Sequence, residues 1–434
     1  MDTRPAPPVA DRTDSFGNAF ADGLPYARGR ILRDTSDDAA KLRLVWRLVE
    51  QHQRAGRLYD FTGLERSLVL PDGDPALLDD ELAPAFYGER LEELALQHLG
   101  GVAGRDDVLL ANRLTAAIFV AMQTLVSPGN TVLGVSAGYS HPSVVRAVRA
   151  AGGRLLDTGS AEELRERLRS ERDTSLVVLT RLAVTYEPLP GDELEEIVAA
   201  AREHGALVLA DDAGGARVGP AVFGQPKTLE LGVDVGATGL DKYGTTGPRL
   251  GLLGGRRELV APMRGRALEL GMEARPMLFP AVVESLAGYR PERVRELVAA
   301  TDSVAEALTT RLGGLVTRTP VAVRLEGESI LEEAMRRGGV AELPIVPVEA
   351  TAALAMLLLR DHGMLTVHFA ALPPGTAAFL VKFVSPQTLH AFGGAAAFAA
   401  AVEASLDELS RLVARPADIG RLLLGKTGQG DGAA

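Results

Sequence analysis

The chain of 434 residues contains no cysteine, a single tryptophan and only 5% aromatic residues. The missing thiol excludes disulfides, thiolate metal sites and a cysteine nucleophile, and no metal centre is expected. Basic residues are also in deficit: 46 Lys and Arg stand against 57 Asp and Glu, giving a net charge of −11 and a pI near 5.3. Without a basic stripe to track a phosphate backbone, no nucleic-acid partner is expected. No apolar run reaches membrane-spanning length, and the start, MDTRPAPPVADRTDSFGNAF, lacks a basic segment followed by an apolar one. These absences predict a soluble, cytoplasmic protein with no membrane partner.

At 46% hydrophobic content the chain can build a large core. Residues 1–33 and 426–434 lack periodicity, which predicts a mobile N-terminal arm and a disordered tail. From Asp37 to Ala55, and again from Leu78 to Leu99, apolar residues recur at helical spacing. Seven short apolar runs then alternate with helical segments, at 107–111, 131–136, 154–158, 175–180, 206–211, 234–239 and 249–255. Such alternation predicts an α/β large domain, residues 34–315, with a mostly parallel seven-stranded sheet flanked by helices. The last run follows its predecessor after too short a loop for a helical crossover, so its strand should be antiparallel. Beyond Pro320 the texture changes to TVHFAAL, FLVKFV and an Ala-rich helix from Gly393 to Leu412. That predicts a smaller α+β domain over residues 316–425. No internal repeat is present.

In such a sheet, ligands sit beyond the carboxyl ends of the strands. Asp211 ends the run ALVLAD, and Lys242 lies just past DVGATG. A lysine amine forms a Schiff base with the aldehyde of pyridoxal 5′-phosphate, and a carboxylate keeps the pyridine nitrogen of that cofactor protonated. Either residue alone reads as a solvated lysine or a turn aspartate. Together at neighbouring strand ends they point to the cofactor.

Further residues fit the same pocket. At the first strand-to-helix junction, LLANRLTAAIFVAM, Asn112 is positioned to cap the helix. The N–H groups of Arg113, Leu114 and Thr115 would then meet the phosphate, with the Arg113 side chain and the Thr115 hydroxyl adding to the site. His141, directly before Pro142 at the next junction, offers a flat ring to stack on the pyridine. Thr180 and Thr238, at two further strand ends, complete the cofactor candidates, while Arg181, Arg249 and Lys382 are candidates for the substrate. Thr245 and Thr246, in the glycine-rich turn after the lysine, could reach a phosphate. The run GGARVG lacks dinucleotide-loop spacing.

These residues resemble those of fold-type I pyridoxal-phosphate enzymes, the aspartate aminotransferase superfamily, over residues 60 to 430. DDAGGARVGP and LELGVDVGATGLDKYGTTGPRLGLLGG are similar to segments of bacterial selenocysteine synthase and its archaeal relatives, with Asp211, Asp241, Lys242, Gly247 and Pro248 on the shared pattern. SHPSVV resembles the α-oxoamine synthase segment whose histidine stacks on the cofactor. Gly214 stands where those synthases carry a histidine, which argues against acyl-CoA condensation. The acidic chain argues against a tRNA substrate, and Lys382 stands where an aminotransferase clamps the substrate with arginine. The resemblance implies an active site built between subunits, hence a homodimer or higher homo-oligomer.

The resulting expectation is a lyase or transferase acting on a small amino-acid-like substrate through a Cα carbanion. Lys242 serves as Schiff-base residue and proton carrier, and β-elimination or β-replacement is the favoured outcome. An aminotransferase or an aldolase of the same fold is the alternative. A rival of another class is a serine hydrolase, because Gly134, Ser136 and Gly138 fit G-x-S-x-G, with Asp211 or Asp234 and His390 in suitable order. That reading leaves Lys242 unexplained.

Overall fold

The computed structural model of the chain describes residues 12–68, 75–369 and 372–425. It divides into two compact units, Leu64–Arg295 and the combination of Met1–Gly63 with Glu296–Ala434.

The central unit holds seven strands: β1 (Asp106–Ala111), β2 (Thr131–Val135), β3 (Arg154–Thr158), β4 (Thr174–Leu179), β5 (Leu207–Asp211), β6 (Val235–Gly239) and β7 (Gly251–Arg256). Their order across the sheet is β1-β7-β6-β5-β4-β2-β3. All pairings are parallel except those of β7, which runs antiparallel to both β1 and β6, as its short connection requires.

Side chains alternate across each strand. Leu133, Val135, Val177, Leu179, Val208 and Ala210 face one layer, built from helices Leu82–Leu99, Ala161–Ser170, Gly191–His204 and Phe279–Ala287. Val132, Leu176, Val178, Leu209, Val235 and Ala237 face the other, built from helices Leu114–Leu125, Pro142–Ala150 and Arg257–Leu270. With both faces covered, the polar ends of the strands are where a ligand can reach the chain.

The second unit differs from the expected division at 33/34 and 315/316. Helix Thr35–Arg54 places Val45 in the same apolar cluster as helix Pro347–His362, so the leading helix belongs with the C-terminal segment. The 295/296 boundary falls inside helix Pro291–Leu312. A three-stranded antiparallel sheet (Thr317–Arg318, Ala322–Leu325, Phe379–Lys382) and a parallel pair (Tyr59–Phe61 with Met364–Thr366) complete the unit.

Residues 12–33, part of the expected arm, are held in place here; residues 1–11 and the expected tail, 426–434, lie outside the described residues. Leu24, Tyr26 and Leu32 are buried. The buried Glu349 carboxylate accepts backbone N–H bonds from Ile31 at 2.7 Å, Leu32 at 2.9 Å and Val346 at 3.2 Å. Glu349→Ala leaves three backbone donors, two of them on buried residues, without this acceptor and is expected to lower stability by about 3 kcal/mol. The urea midpoint measures this, and an unchanged midpoint would show that the carboxylate does not hold the segment. Among the described residues no single helix is long and apolar enough to cross a membrane.

Candidate active site

Asp211 ends β5 and is 4% exposed, with Oδ1 lacking a hydrogen-bond partner among the described residues. Burial pushes its carboxyl up to about 7, the charge of Asp212 adds to the rise, and Lys242 opposes it. A buried carboxylate with an open oxygen is suited to a cationic N–H ligand.

Lys242 follows β6 in a loop closed by its own hydrogen bonds: Thr245 donates to the Lys242 carbonyl through both N–H and Oγ, and Gly247 N–H donates to the Leu240 carbonyl. Its Nζ lies 2.9 Å from Asp241 Oδ1, and Arg249 Nε lies 3.5 Å from Asp241 Oδ2. The charges of Lys242 and Arg249 outweigh burial and hold Asp241 below the ordinary carboxylate range. The amine lies so close over Gly239 that a Cβ there would sit 2.3 Å from Nζ. Any larger residue would displace it. Of the other lysines, Lys41 pairs with Asp38, Lys227 Nζ donates to the Gln97 carbonyl and Lys382 Nζ to that of Thr62, while Lys426 lies outside the described residues.

The start of helix Leu114–Leu125 differs in detail from expectation. Arg113, not Asn112, is the N-cap residue, in extended backbone and with no side-chain cap. The Asn112 amide instead donates to the Gly271 carbonyl at 3.1 Å. Ala116 and Ala117 N–H are taken by the Arg113 carbonyl, whereas those of Leu114 and Thr115 lie in the uncapped first turn. Burial and the charges of Arg113 and Arg66 hold Arg249 below the ordinary arginine range, with Asp241 opposing them. Arg113 and Arg66 thus lie within electrostatic reach of Arg249, and Arg113 stands at a helix N-terminus, an arrangement suited to a phosphate.

His141 caps helix Pro142–Ala150: its Nδ1 accepts Ser143 N–H at 3.1 Å and lies 2.7 Å from Ser143 Oγ. Burial lowers its pKa to about 4, and the charges of Arg146 and Lys242 add to the effect. The ring is therefore neutral at physiological pH.

Other expected residues are engaged elsewhere. Thr180 is buried at the end of β4. Thr238 donates to the Ala213 carbonyl and accepts from Arg217 Nη1 at 2.9 Å, so its hydroxyl bridges protein groups. Arg181, expected near the substrate, is buried: its Nε donates to Asp212 at 2.9 and 3.0 Å, its Nη2 bonds Asp212 and Thr228, and its Nη1 donates to the Pro226 carbonyl. It forms a buried ion pair with Asp212. Lys382, also buried, belongs to the other unit. Arg249 alone of the three substrate candidates is partly exposed and next to Lys242's partner.

The strand-to-helix elbow that a hydrolase serine needs is not formed. Ser136 Oγ accepts Gly138 N–H in a turn, and five residues separate Ser136 from the helix at Pro142. Asp234 precedes β6 at the end of the sheet opposite Ser136.

Sequence reading overlooked Arg66, Arg217, Tyr186 and Tyr243. Arg217 is fully buried, with Nε and Nη2 lacking hydrogen-bond partners among the described residues. Only Tyr243, adjacent to Lys242, carried any positional signal.

No family model matches the chain. A UPF0425 pyridoxal phosphate-dependent protein of Methanothermobacter thermautotrophicus is 32% identical over 333 residues, covering 76% of this chain and 83% of that protein. Another of the same description, from Methanosphaera stadtmanae, is 29% identical over 317 residues, covering 73% and 80%. The L-seryl-tRNA(Sec) selenium transferase of Edwardsiella ictaluri is 27% identical over 288 residues, covering 58% and 60%. Among solved structures, Sphingomonas wittichii serine palmitoyltransferase matches with a TM-score of 0.55 at 17% identity, covering 80% of this chain and 87% of that one. Bacillus subtilis ureidoglycine-glyoxylate aminotransferase matches at 0.53 with 14% identity, covering 83% and 97%. At such identities the structures speak to the fold alone, which is that of fold-type I enzymes. The orphaned Asp211 oxygen, the amine over Gly239 and the cationic helix start all fit the cofactor that the relatives' description names, and the chain belongs to the UPF0425 family of pyridoxal phosphate-dependent proteins.

Proposed function

We propose that the chain is an enzyme that removes the Cα proton of a small amino-acid-like substrate and then expels or exchanges a group at its β-carbon. The observation that carries this reading is the placement of Lys242 Nζ, 2.9 Å from Asp241 and within electrostatic reach of both Asp211 and His141. When bound, pyridoxal phosphate supplies an electron-accepting ring that stabilises negative charge on the substrate.

The chain's own residues do the rest. The Leu114 and Thr115 N–H groups with Arg113 and Arg66 would hold the phosphate. Asp211 would keep the ring nitrogen protonated, and neutral His141 would cover the ring face. Lys242 would hold the cofactor and carry the Cα proton. Arg249 is our choice for the substrate carboxylate, because its guanidinium is partly exposed beside Asp241 and offers a bidentate fork. The preference for β-carbon chemistry rests on the relative that transfers selenium to a seryl group. A free amino acid rather than a tRNA fits the net charge of −11. A homodimer or larger homo-oligomer is also proposed, to be checked by light scattering.

Mixing the loaded protein with O-acetylserine or O-phosphoserine tests the reaction. Release of pyruvate and ammonia, or of a β-substituted alanine when a nucleophile is added, is the expected result. Amino transfer to a 2-oxo acid with no pyruvate, or release of glycine and formaldehyde from unsubstituted serine with no pyruvate from either ester, would refute it in favour of an aminotransferase or an aldolase.

A further inference from the structure

The turn that follows Lys242 is strained and has to be held. Tyr243 and Gly244 both have left-handed backbone, φ 45° and 91°. For a side chain as large as tyrosine that conformation is unfavourable, and it persists only where surrounding contacts impose it. The Tyr243 ring fills the space at Gly214, where a Cβ would lie 2.2 Å from it, and Thr246 N–H donates to Ser285 Oγ at 3.1 Å. The remaining contacts come from residues 64–67, 179 positions earlier in the chain and in the same compact unit. Leu64 forms an antiparallel bridge with Lys242 itself. Glu65 Oε2 accepts the Gly244 N–H at 3.1 Å, and Ser67 Oγ donates to the Thr246 carbonyl.

Glu65 is itself anchored. Its Oε1 accepts from Arg293 Nε at 2.9 Å and from Arg293 Nη2 at 2.7 Å, and each side chain of the pair is 17% exposed. Charge-assisted bonds are stronger than neutral ones, the more so when shielded from water. The guanidinium thus fixes the carboxylate, and the carboxylate fixes the backbone N–H of the second left-handed residue. Arg66, between Glu65 and Ser67, is exposed and within electrostatic reach of Arg249. The same short segment therefore carries both a contact to the lysine turn and a cation for the phosphate, two roles that experiment can separate.

We propose that Glu65 is a positioning residue for Lys242: its bond to the Gly244 N–H sustains the left-handed turn and so keeps the amine where an incoming aldehyde is captured. The inference rests on the cofactor placement given above. In that capture the amine adds to the aldehyde carbon, a C=N bond forms and the aldehyde oxygen leaves as water. Without the Glu65 acceptor the turn relaxes toward ordinary backbone, and the amine spends less time over Gly239 beside Asp241.

Stopped-flow absorbance measures how fast the cofactor-free wild type, Glu65→Ala and Glu65→Gln capture pyridoxal phosphate and, separately, pyridoxal, which lacks the phosphate. Glu65→Ala is expected to be about 10-fold slower than the wild type with both aldehydes, the scale of one lost charge-assisted bond. Glu65→Gln keeps an acceptor for the Gly244 N–H and should lie between the two; it carries the test if the alanine variant does not fold. Slowing confined to pyridoxal phosphate would place the segment's role in Arg66 and the phosphate, and would overturn the inference. Wild-type rates in the folded variants would also overturn it, even with a lowered urea midpoint, because a purely structural role moves the midpoint and not the capture. A wild type that attaches neither aldehyde to Lys242 would overturn the cofactor placement, and this inference with it.

Discussion

Replacing Lys242 by alanine is expected to leave a folded protein with no covalently held pyridoxal phosphate and activity reduced at least about 1,000-fold, the scale of a lost proton carrier. The fold should survive because the side chain is 21% exposed and, among the described residues, bonds Asp241 alone. Asp241 remains buried in the variant with Arg249 still 3.5 Å away, which limits the cost of removing its other partner. Borohydride reduction of the wild type followed by peptide mapping should place the cofactor on Lys242 alone. The remaining lysines within the described residues are bound to Asp38, the Gln97 carbonyl and the Thr62 carbonyl. A label on any of them, or retained activity in the alanine variant, would refute the assignment.

Asp211→Asn is expected to reduce turnover on the order of 100- to 1,000-fold, since an uncharged amide no longer favours a protonated ring nitrogen. The same variant should be more stable than the wild type when both are stripped of cofactor. Burial first, and Asp212 second, raise the Asp211 carboxyl from an ordinary 3.8 to about 7. An acid with a raised folded pKa holds its proton more tightly in the folded state. The cofactor-free wild type therefore loses stability as the pH rises from about 4 to about 7 and stays weakened above that window. At about 1.4 kcal/mol per pKa unit, the difference at pH 8 is on the order of 2 to 4 kcal/mol. Urea denaturation of the cofactor-free pair at pH 5 and pH 8 measures it. A stability gap that fails to widen toward pH 8 would show that Asp211 is not held in a charge-disfavouring site. A widening gap with lost activity would identify a carboxylate whose burial costs stability and serves the cofactor.

Much of this architecture was readable along the chain. Short apolar runs with helices between them are dictated by local alternation and by the need to cover both faces of a parallel sheet, and each expected strand begins and ends within two residues of the observed one. The antiparallel β7 was legible because a loop that short cannot carry a crossover. The alignment of Asp211 with Lys242 followed from strand ends alone.

Where the reading departed from the structure, long-range contact decided the outcome. Residues 12–33 are low in apolar periodicity, yet Glu349, more than 300 positions away, supplies acceptors for the Ile31 and Leu32 N–H groups. Arg181 looked available at a strand end until Asp212 and Thr228 enclosed it. Asn112 had the right residue type for a cap, but the Gly271 carbonyl drew its amide away. Arg66 carries no local mark at all.

By itself, then, the sequence determined the sheet, its one reversed strand, and pyridoxal phosphate as the cofactor, because these depend on periodicity, loop length and residue type. Which cations stand near the helix start, which arginine is locked to a buried aspartate, and that Tyr243 occupies the space left open at Gly214 were decided only by the tertiary structure. Those outcomes depend on which distant groups compete for each donor, acceptor and void, and that competition exists only once the chain has folded.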